Sequence, residues 1–479
     1  MLINICIIFM LHISEDLINK FSKKFNSENI NNITKNAINN NKLSEIIING
    51  SKIQKRNNIF SKSINVKVKI SEQKDSGRCW IFAFLNAVRI EMIQKYNLEE
   101  TFEFSQNYLF FWDKLEKCNY FIYNIINTKN LDLKNREIHY LLNEPIGDGG
   151  QWNMIKNLVN KYGIIPKTSM NETLSSENTY EMNYILNNKL RSIAYEIRNS
   201  KKEINKDVIN SYLEEIYKII VLFLGEPPKV FTWEYYSIKG DNKKYNAIKN
   251  ITPLQFYKKY VPYNVNDKIC LINSPLTSSS LIKPYFNLYN VKYCGNIVNG
   301  EENNFINIPI ELMLKITKKS IDNDKSVWFG SDMDHYFNNK YGILDTAIFD
   351  YNSIINMNDI LKDKGFRLDY SVSKINHAML IKGYNSINNN VTKWLVENSW
   401  GENNELFGNI SMSNDWFKEF VFQIVVDKKF VNKEILNVLK KKPILLKPWD
   451  PFGVLLGKKG GKIYKNKSKK YTLKKKNIQ

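Results

Sequence analysis

One cysteine in this sequence lies where a thiol could act as a nucleophile. Cys79 stands between an arginine and a tryptophan in QKDSGRCWIFAFLNAVR, residues 73–89. Apolar residues follow it at the spacing of one buried helical face, namely Ile81, Leu85, Val88 and Met92. The preceding DSGR contains turn formers, so the pattern predicts a helix that begins near Cys79.

The predicted position of Cys79 bears on its reactivity. The N-terminal end of a helix carries partial positive charge, which favours the thiolate over the thiol, and the thiolate is the nucleophilic form. The alternative is a buried cysteine that packs as a small hydrophobic residue, which is the commonest fate of a free cysteine. The segment favours a nucleophile and leaves that alternative open.

A cysteine nucleophile needs a base that takes its proton and later returns it to the leaving group. The sequence has four histidines, at positions 12, 139, 335 and 377. His377 opens the apolar run HAMLIKGYN, which predicts a strand that would hold the ring firmly. A histidine in such a strand is more often merely packed. In the next strand-like run, WLVENSWG, Asn398 could accept the imidazole N–H and Trp400 could shield that bond from water, which together favour a base with its orienting residue.

The tetrahedral intermediate of such a reaction also needs hydrogen-bond donors for its oxyanion. Gln73 lies shortly before Cys79, on the far side of a turn that contains Gly77. Its amide could point towards the same place as the Cys79 backbone N–H. A glutamine in a polar loop is usually only solvated, so this residue gains weight only in combination with the others.

The composition restricts the class of protein. A chain of 479 residues with 43% hydrophobic and 13% aromatic residues has room for two or three domains, or one enlarged domain, around a large core. The five cysteines are scattered and form no CxxC pair, at positions 6, 79, 118, 270 and 294. They indicate neither a disulfide framework nor a zinc site, and they favour a reducing, intracellular setting. We expect no metal and no cofactor.

The net charge of +21 is concentrated at one end of the sequence. Residues 458–479 contain ten lysines and no acidic residue, which predicts a disordered tail that could attract polyanions. A compositional drift towards Asn, Lys and Ile explains the charge equally well. The apolar start MLINICIIFMLHI is too short to span a bilayer and lacks signal-peptide flanks, so it is either a targeting segment or the result of a start placed upstream of Met10. No later segment is apolar enough for a membrane.

The pattern along the chain indicates six regions. They are an arm with a doubtful apolar leader (1–65), a helical lobe carrying Cys79 (66–170), a helical insertion (171–324), a β-rich lobe carrying His377 and Asn398 (325–440), a C-terminal arm (441–457) and the basic tail (458–479).

The order Gln73, Cys79, His377 and Asn398 resembles that of the papain-like cysteine peptidases. Two features depart from the usual pattern: Ser76 replaces a cysteine that normally forms a disulfide, and the gap between Cys79 and His377 is much longer. In both departures the sequence resembles one branch of these peptidases, the bleomycin hydrolases, also called aminopeptidase C. The resemblance extends through SGRCWIF, DGGQWNMIKNLVNKYGIIPK, FTWEYY, WLVENSWGE and PWDPFG. It implies an α+β, two-lobed papain-like fold with a large helical insertion.

The resemblance also implies roles for individual residues. Cys79 would be the nucleophile, His377 the general base and acid, Asn398 the orienting residue and Gln73 the oxyanion donor. Gly149 and Gly150 of DGG resemble the substrate-binding strand of the family, where a missing side chain allows a peptide backbone to pair with the enzyme. Without the resemblance, an ordinary turn would account for this glycine pair equally well.

Members of this branch are cytosolic homohexamers that remove N-terminal residues from short peptides and hydrolyse the amide of bleomycin. Their C-terminal arm lies in the active-site cleft, where its carboxylate pairs with the substrate ammonium. Here PWDPFGVLL resembles that arm up to Leu456, but the sequence continues into the lysine-rich tail. We expect short peptides with a free N-terminus as substrates, and trimming of the tail near Leu456, conceivably by Cys79 itself.

Two other classes of function remain as alternatives. One is a hexameric scaffold that binds nucleic acid non-specifically through its basic surface, with weak or altered endopeptidase activity. The other is a different thiol enzyme, such as a glutaminase. Glutaminases usually place a carboxylate beside the histidine, so an asparagine in ENSWG favours the peptidase.

Overall fold

The computed structural model describes residues 12–277, 282–355 and 363–453. The chain divides into two compact units, one formed by residues 1–57 and 346–361 and the other by residues 58–345 and 362–479. Leu456, the first residues of the apolar leader and the basic tail lie outside the described residues.

Helices account for most of the first part of the chain. In chain order they are α1 Glu15–Asn26, α2 Asn29–Asn40, α3 Leu43–Ile46, α4 Gly50–Gln54, α5 Cys79–Tyr96, α6 Gln106–Asn127, α7 Arg136–Asn143, α8 Trp152–Tyr162, α9 Leu174–Glu177, α10 Tyr180–Asn199, α11 Lys206–Leu224, α12 Pro253–Tyr260, α13 Ile310–Asp322, α14 Asn352–Ile355, α15 Lys364–Asp369, α16 Asn414–Phe420 and α17 Lys433–Val438. Within the described residues, no helix is long and apolar enough to cross a membrane.

The strands form one large sheet and one separate hairpin. In chain order they are β1 Lys62–Ser63, β2 Phe231–Lys239, β3 Asn242–Ile251, β4 Lys268–Ile272, β5 Leu288–Val291, β6 Phe305–Asn307, β7 Val327–Ser331, β8 Phe337–Asn338, β9 Ile343–Leu344, β10 His377–Ile387, β11 Asn390–Glu397, β12 Asn409–Ser413, β13 Val421–Asp427 and β14 Ile444–Leu446. The described sheet has 12 strands in the order β14-β5-β6-β4-β13-β7-β10-β11-β12-β9-β8, with β1 beside β10, whereas β2 and β3 pair only with each other.

Helix α5 begins at Cys79, as the sequence predicts, but it is buried more completely than an amphipathic helix. Every residue from Cys79 to Ile90 is buried, including the polar Asn86 and Arg89. A helix that is apolar on all sides belongs in the interior of a large protein. The helix ends at Tyr96 and is followed by Asn97, which adopts the left-handed conformation (φ 49°) that often terminates helices.

The region predicted as a helical insertion contains strands β2 to β6 as well as helices, so its predicted helical character is wrong for much of residues 231–307. Buried and exposed residues alternate at the start of β2, and all of β4 is buried, which are the patterns of a one-sided and a fully enclosed strand. Strand β4 pairs with β13, which pairs with β7 beside β10. Strands from this region therefore belong to the sheet that carries His377.

The centre of the sheet brings two chain segments together. Strand β10 is antiparallel to both β7 and β11, with His377 opposite Ser331 and Leu380 opposite Glu397. Because β10 and β11 run in opposite directions, the first residue of β10 lies near the residues that follow the end of β11. His377 and Asn398 are thereby brought to the same edge of the sheet.

Candidate active site

Cys79 is fully buried at the first position of α5. Its Sγ accepts a hydrogen bond of 3.4 Å from the backbone N–H of Ala378, the residue that follows His377. The two residues are 299 positions apart in the sequence. The structure thus places the candidate nucleophile beside the strand that carries the candidate base.

The imidazole of His377 is held by a single side-chain hydrogen bond and by an aromatic contact. Its Nε2 lies 2.8 Å from Oδ1 of Asn398, which is an acceptor, so Nε2 carries the hydrogen. The indole of Trp400 lies 4.8 Å from the imidazole, between ring centroids, at an interplanar angle of 37°. The other ring nitrogen, Nδ1, is buried without a hydrogen-bond partner among the described residues. It is therefore the nitrogen left to take up a proton.

The amide of Asn398 is itself fixed by its neighbour. Its Oδ1 also accepts a hydrogen bond of 2.8 Å from the backbone N–H of Ser399. An oxygen with two donors has little freedom to rotate away from the imidazole. This arrangement fits the predicted role of Asn398, which is to orient the ring and set its tautomer.

Gln73 is buried and connected to the same segment. Its backbone N–H donates to the carbonyl of Ser399 over 2.9 Å, and its Oε1 accepts a hydrogen bond of 2.6 Å from the Ser399 hydroxyl. Its Nε2 donates over 2.6 Å to the carbonyl of Ser76, within the turn that precedes Cys79. A glutamine in a polar loop is usually solvated, but the amide of Gln73 is instead hydrogen-bonded inside the protein. One of its two N–H groups is occupied by Ser76, which leaves the second for an oxyanion.

Burial is the largest cause of the pKa shifts of Cys79 and His377. It raises the pKa of the Cys79 thiol to about 12, although the backbone N–H groups of Ala378, Trp80 and Cys79 itself act in the opposite direction. Burial also lowers the pKa of His377 to about 4, against a smaller upward effect of Asn398. Both shifts favour a neutral thiol and a neutral imidazole at pH 7 in the substrate-free site. Desolvation thus acts against the thiolate that the helix N-terminus favours.

Gly149 and Gly150 are both buried, and Gly150 packs against the Trp80 side chain. A Cβ added to Gly150 would lie 2.5 Å from the indole of Trp80. The carbonyl of Gly149 accepts a hydrogen bond of 2.6 Å from Lys117 Nζ. Whether this segment pairs with a peptide stays a prediction, but the absence of a side chain at Gly150 is required by Trp80.

A buried ionic cluster that sequence reasoning missed connects the nucleophile helix to the two site strands. Arg89 of α5 pairs with Glu397 at the end of β11 over 2.7 Å, and Lys382 of β10 pairs with the same carboxylate over 3.1 Å. Glu397 is fully buried and directly precedes Asn398. An arginine inside an otherwise apolar helix needs a buried partner of opposite charge. The position of Arg89 in such a helix could therefore have indicated this ion pair from the sequence.

We expect Asn398→Ala to reduce kcat moderately and to leave KM nearly unchanged, because Asn398 orients the imidazole and makes no bond to the substrate. The loss should be clearly smaller than that of a Cys79 variant, on the order of 10²-fold, as for a misplaced catalytic group. Steady-state kinetics on one peptide substrate measures both parameters. Equal losses for the Asn398 and Cys79 variants would contradict the assigned roles.

Comparison with known proteins gives consistent matches over nearly the whole chain. A family model described as the peptidase C1-like family matches residues 12–453. Mouse bleomycin hydrolase is 38% identical over 457 residues, which cover 92% of this chain and 98% of that protein. Aminopeptidase C of Listeria innocua is 42% identical over 400 residues, which cover 83% of this chain and 88% of that protein.

A solved structure agrees with these matches. The crystal structure of PepW from Lactobacillus rhamnosis superimposes with a TM-score of 0.88 at 38% identity, covering 93% of this chain and 100% of that one. Agreement over this length supports the same fold for the two proteins.

Proposed function

The chain belongs to the peptidase C1-like family and is a cysteine aminopeptidase with a papain-like fold of mixed helices and sheets, and we propose that Cys79 is its nucleophile and His377 its base. The observation that carries this assignment is the joint geometry of three residues. Cys79 Sγ lies against the backbone of residue 378, while His377 bonds to Asn398 through Nε2 and leaves Nδ1 free.

The reaction begins when a peptide carbonyl reaches the Cys79 sulfur. His377 Nδ1 takes the proton of the Cys79 thiol as the sulfur bonds to the peptide carbonyl carbon, the C=O π electrons move to the oxygen, and the imidazolium then lies beside the resulting oxyanion intermediate. Gln73 and the Cys79 backbone N–H donate to the oxyanion of the tetrahedral intermediate. His377 returns the proton to the leaving amine, and a water activated by the same ring hydrolyses the thioester.

Asn398 and Trp400 support these steps without forming bonds to the substrate. Asn398 keeps hydrogen on Nε2, so that Nδ1 stays the basic nitrogen throughout the cycle. The Trp400 indole packs against the His377 ring, and we propose that it shields this hydrogen bond from water. A shielded hydrogen bond is stronger than one that competes with water.

The substrates we propose are short peptides with a free N-terminus, together with the amide of bleomycin. The names of the relatives, bleomycin hydrolase and aminopeptidase C, support this proposal. We further propose a cytoplasmic homohexamer with two lobes flanking the site, a cleft lined by Gly149 and Gly150, and an arm that reaches it up to Leu456. The alternative of a nucleic-acid-binding scaffold is not favoured, since the similarity to peptidases extends over most of the chain.

The test compares three peptides of one sequence, with a free amine, with an N-acetyl group and with two added N-terminal residues. Hydrogen bonds to a charged group are worth about 1.5–3 kcal/mol, so we expect kcat/KM to fall ~10–100-fold on acetylation. The full chain and a chain that ends at Leu456 are both assayed, with Cys79→Ala as the background. Equal cleavage of the free and acetylated peptides by both chains would contradict aminopeptidase action.

A further inference from the structure

A buried carboxylate joins the turn before Cys79 to the glycine pair. Asp148 directly precedes Gly149 and is buried. Its Oδ2 accepts a hydrogen bond of 2.9 Å from the backbone N–H of Gly77, which lies in the turn between Gln73 and Cys79. The Asp148 side chain thus connects the candidate substrate strand to the turn that carries the candidate oxyanion donors.

The residue after the nucleophile makes a second connection to the same segment. Nε1 of Trp80 donates to the backbone carbonyl of Asp148 over 2.8 Å. The Trp80 ring also fills the space beside Gly150, where a Cβ would approach it to 2.5 Å. Residues 148–150 therefore contact the polypeptide on both sides of Cys79, at Gly77 and at Trp80.

The remaining acceptor sites of the carboxylate are all occupied. Oδ2 also accepts the hydroxyl of Thr179, and Oδ1 accepts hydrogen bonds of 2.8 Å from both Lys114 Nζ and Asn183 Nδ2. Burial by itself raises the pKa of Asp148, but the Lys114 ammonium and these hydrogen bonds more than offset it and hold the pKa well below its ordinary value. The carboxylate therefore remains charged at neutral pH, and a charged acceptor makes stronger and shorter hydrogen bonds than a neutral one.

A second lysine of α6 holds the strand itself. Lys117 Nζ donates to the carbonyls of Gly149 at 2.6 Å and Gly147 at 3.3 Å, and it is paired with Asp113 over 2.5 Å. The backbone on either side of Asp148 is thus fixed against α6. The carboxylate can then act as a rigid spacer towards Gly77.

We infer that Asp148 is a positioning residue, which sets the distance between the oxyanion-binding turn at residues 73–79 and the substrate-binding strand at 149–150. This inference deepens the proposed function and rests on it. A peptide held by the strand presents its carbonyl to the turn, so the spacing between the two determines how well the oxyanion meets its donors. The hydrogen bonds of the thiol and of the imidazole go to Ala378 and Asn398, and Asp148 bonds to neither group.

The test uses Asp148→Asn in the full-length protein, because asparagine keeps the size and one acceptor oxygen but removes the charge. We expect kcat/KM for a free-amine peptide to fall by ~10²-fold, the effect of a misplaced reacting group. Alkylation of Cys79 by iodoacetamide should be no slower than in the wild type, since Asp148 makes no hydrogen bond to the thiol or the imidazole and its negative charge raises the pKa of Cys79, so that its removal favours the thiolate. Amide hydrogen exchange should accelerate in residues 73–80 and 147–152 together.

A matched control is Asp427→Asn, which breaks another buried ion pair, with Lys268 at 2.7 Å, at the end of β13. Its kcat/KM and its exchange in both segments should equal those of the wild type. Should Asp148→Asn fail to fold, Thr179→Val removes only the hydroxyl that bonds to Asp148, and the same changes are expected on a smaller scale.

Wild-type turnover and wild-type exchange in the Asp148 variant would overturn the inference, as would a loss of alkylation in proportion to the loss of turnover. The exchange measurement also separates this inference from the proposed function. A wild-type protein that cleaves no peptide would refute the aminopeptidase assignment, while joint acceleration of the two segments would still show that Asp148 couples them.

Discussion

Cys79→Ala is expected to abolish peptide hydrolysis, with a loss of about 10⁴–10⁶-fold in kcat, the range found when the nucleophile of a covalent mechanism is removed. No other thiol of the described residues contacts His377, since Cys118 is buried on α6, Cys270 on β4 and Cys294 in the segment after β5. Initial rates with a free-amine peptide measure the loss.

The matched control for this prediction is Cys118→Ala. Cys118 is also fully buried on a helix, α6, and burial likewise raises the pKa of its thiol to about 12. This variant should retain wild-type kcat and lose only a modest amount of stability, about 1 kcal/mol for a small buried side chain. A Cys79→Ala enzyme that still hydrolysed a tenth as fast as the wild type would refute the nucleophile assignment.

His377→Ala should cause a loss of similar size, because without a base the thiol must ionise alone. With burial raising the pKa of Cys79 to about 12, the thiolate fraction at pH 7 would be minute. Since the pKa is raised, the thiolate appears only as the pH rises towards that value. Iodoacetamide alkylation of Cys79 in this variant should therefore be slow at pH 7 and increase ~10-fold for each pH unit in the alkaline range.

The wild type should behave differently in the same experiment. Burial lowers the pKa of its His377 imidazole, so the ring is neutral at pH 7 and Nδ1 can take the thiol proton as the sulfur attacks the reagent. Alkylation at pH 7 should then be much faster than in the variant. His139→Ala, at an exposed position on α7, is the control and should match the wild type. Equal alkylation rates at pH 7 with and without His377 would contradict its role as base.

Local patterns in the sequence were sufficient to locate the main elements of the site. The turn formers before Cys79 and the apolar spacing after it predict where α5 begins, and HAMLIKGYN predicts the strand that begins at His377. Asn398 was identified because it lies in the next strand-like run, WLVENSWG, and could accept the imidazole N–H, although the strand itself ends at Glu397. These predictions succeed because capping and periodicity are properties of neighbouring residues. The strands within residues 231–307 were missed, since the long charged helices around them dominated the pattern.

By itself the sequence determined which residue types could form a thiol–imidazole–amide site and on which elements they lie. Only the tertiary structure decided that burial raises the pKa of Cys79 and lowers that of His377, that Nδ1 is the free nitrogen, and that Asp148 and Glu397 connect the site to its surroundings. The physical reason is that desolvation and buried ion pairs depend on how closely distant segments pack. Such contacts, like the one between Cys79 and Ala378, leave no trace in local periodicity.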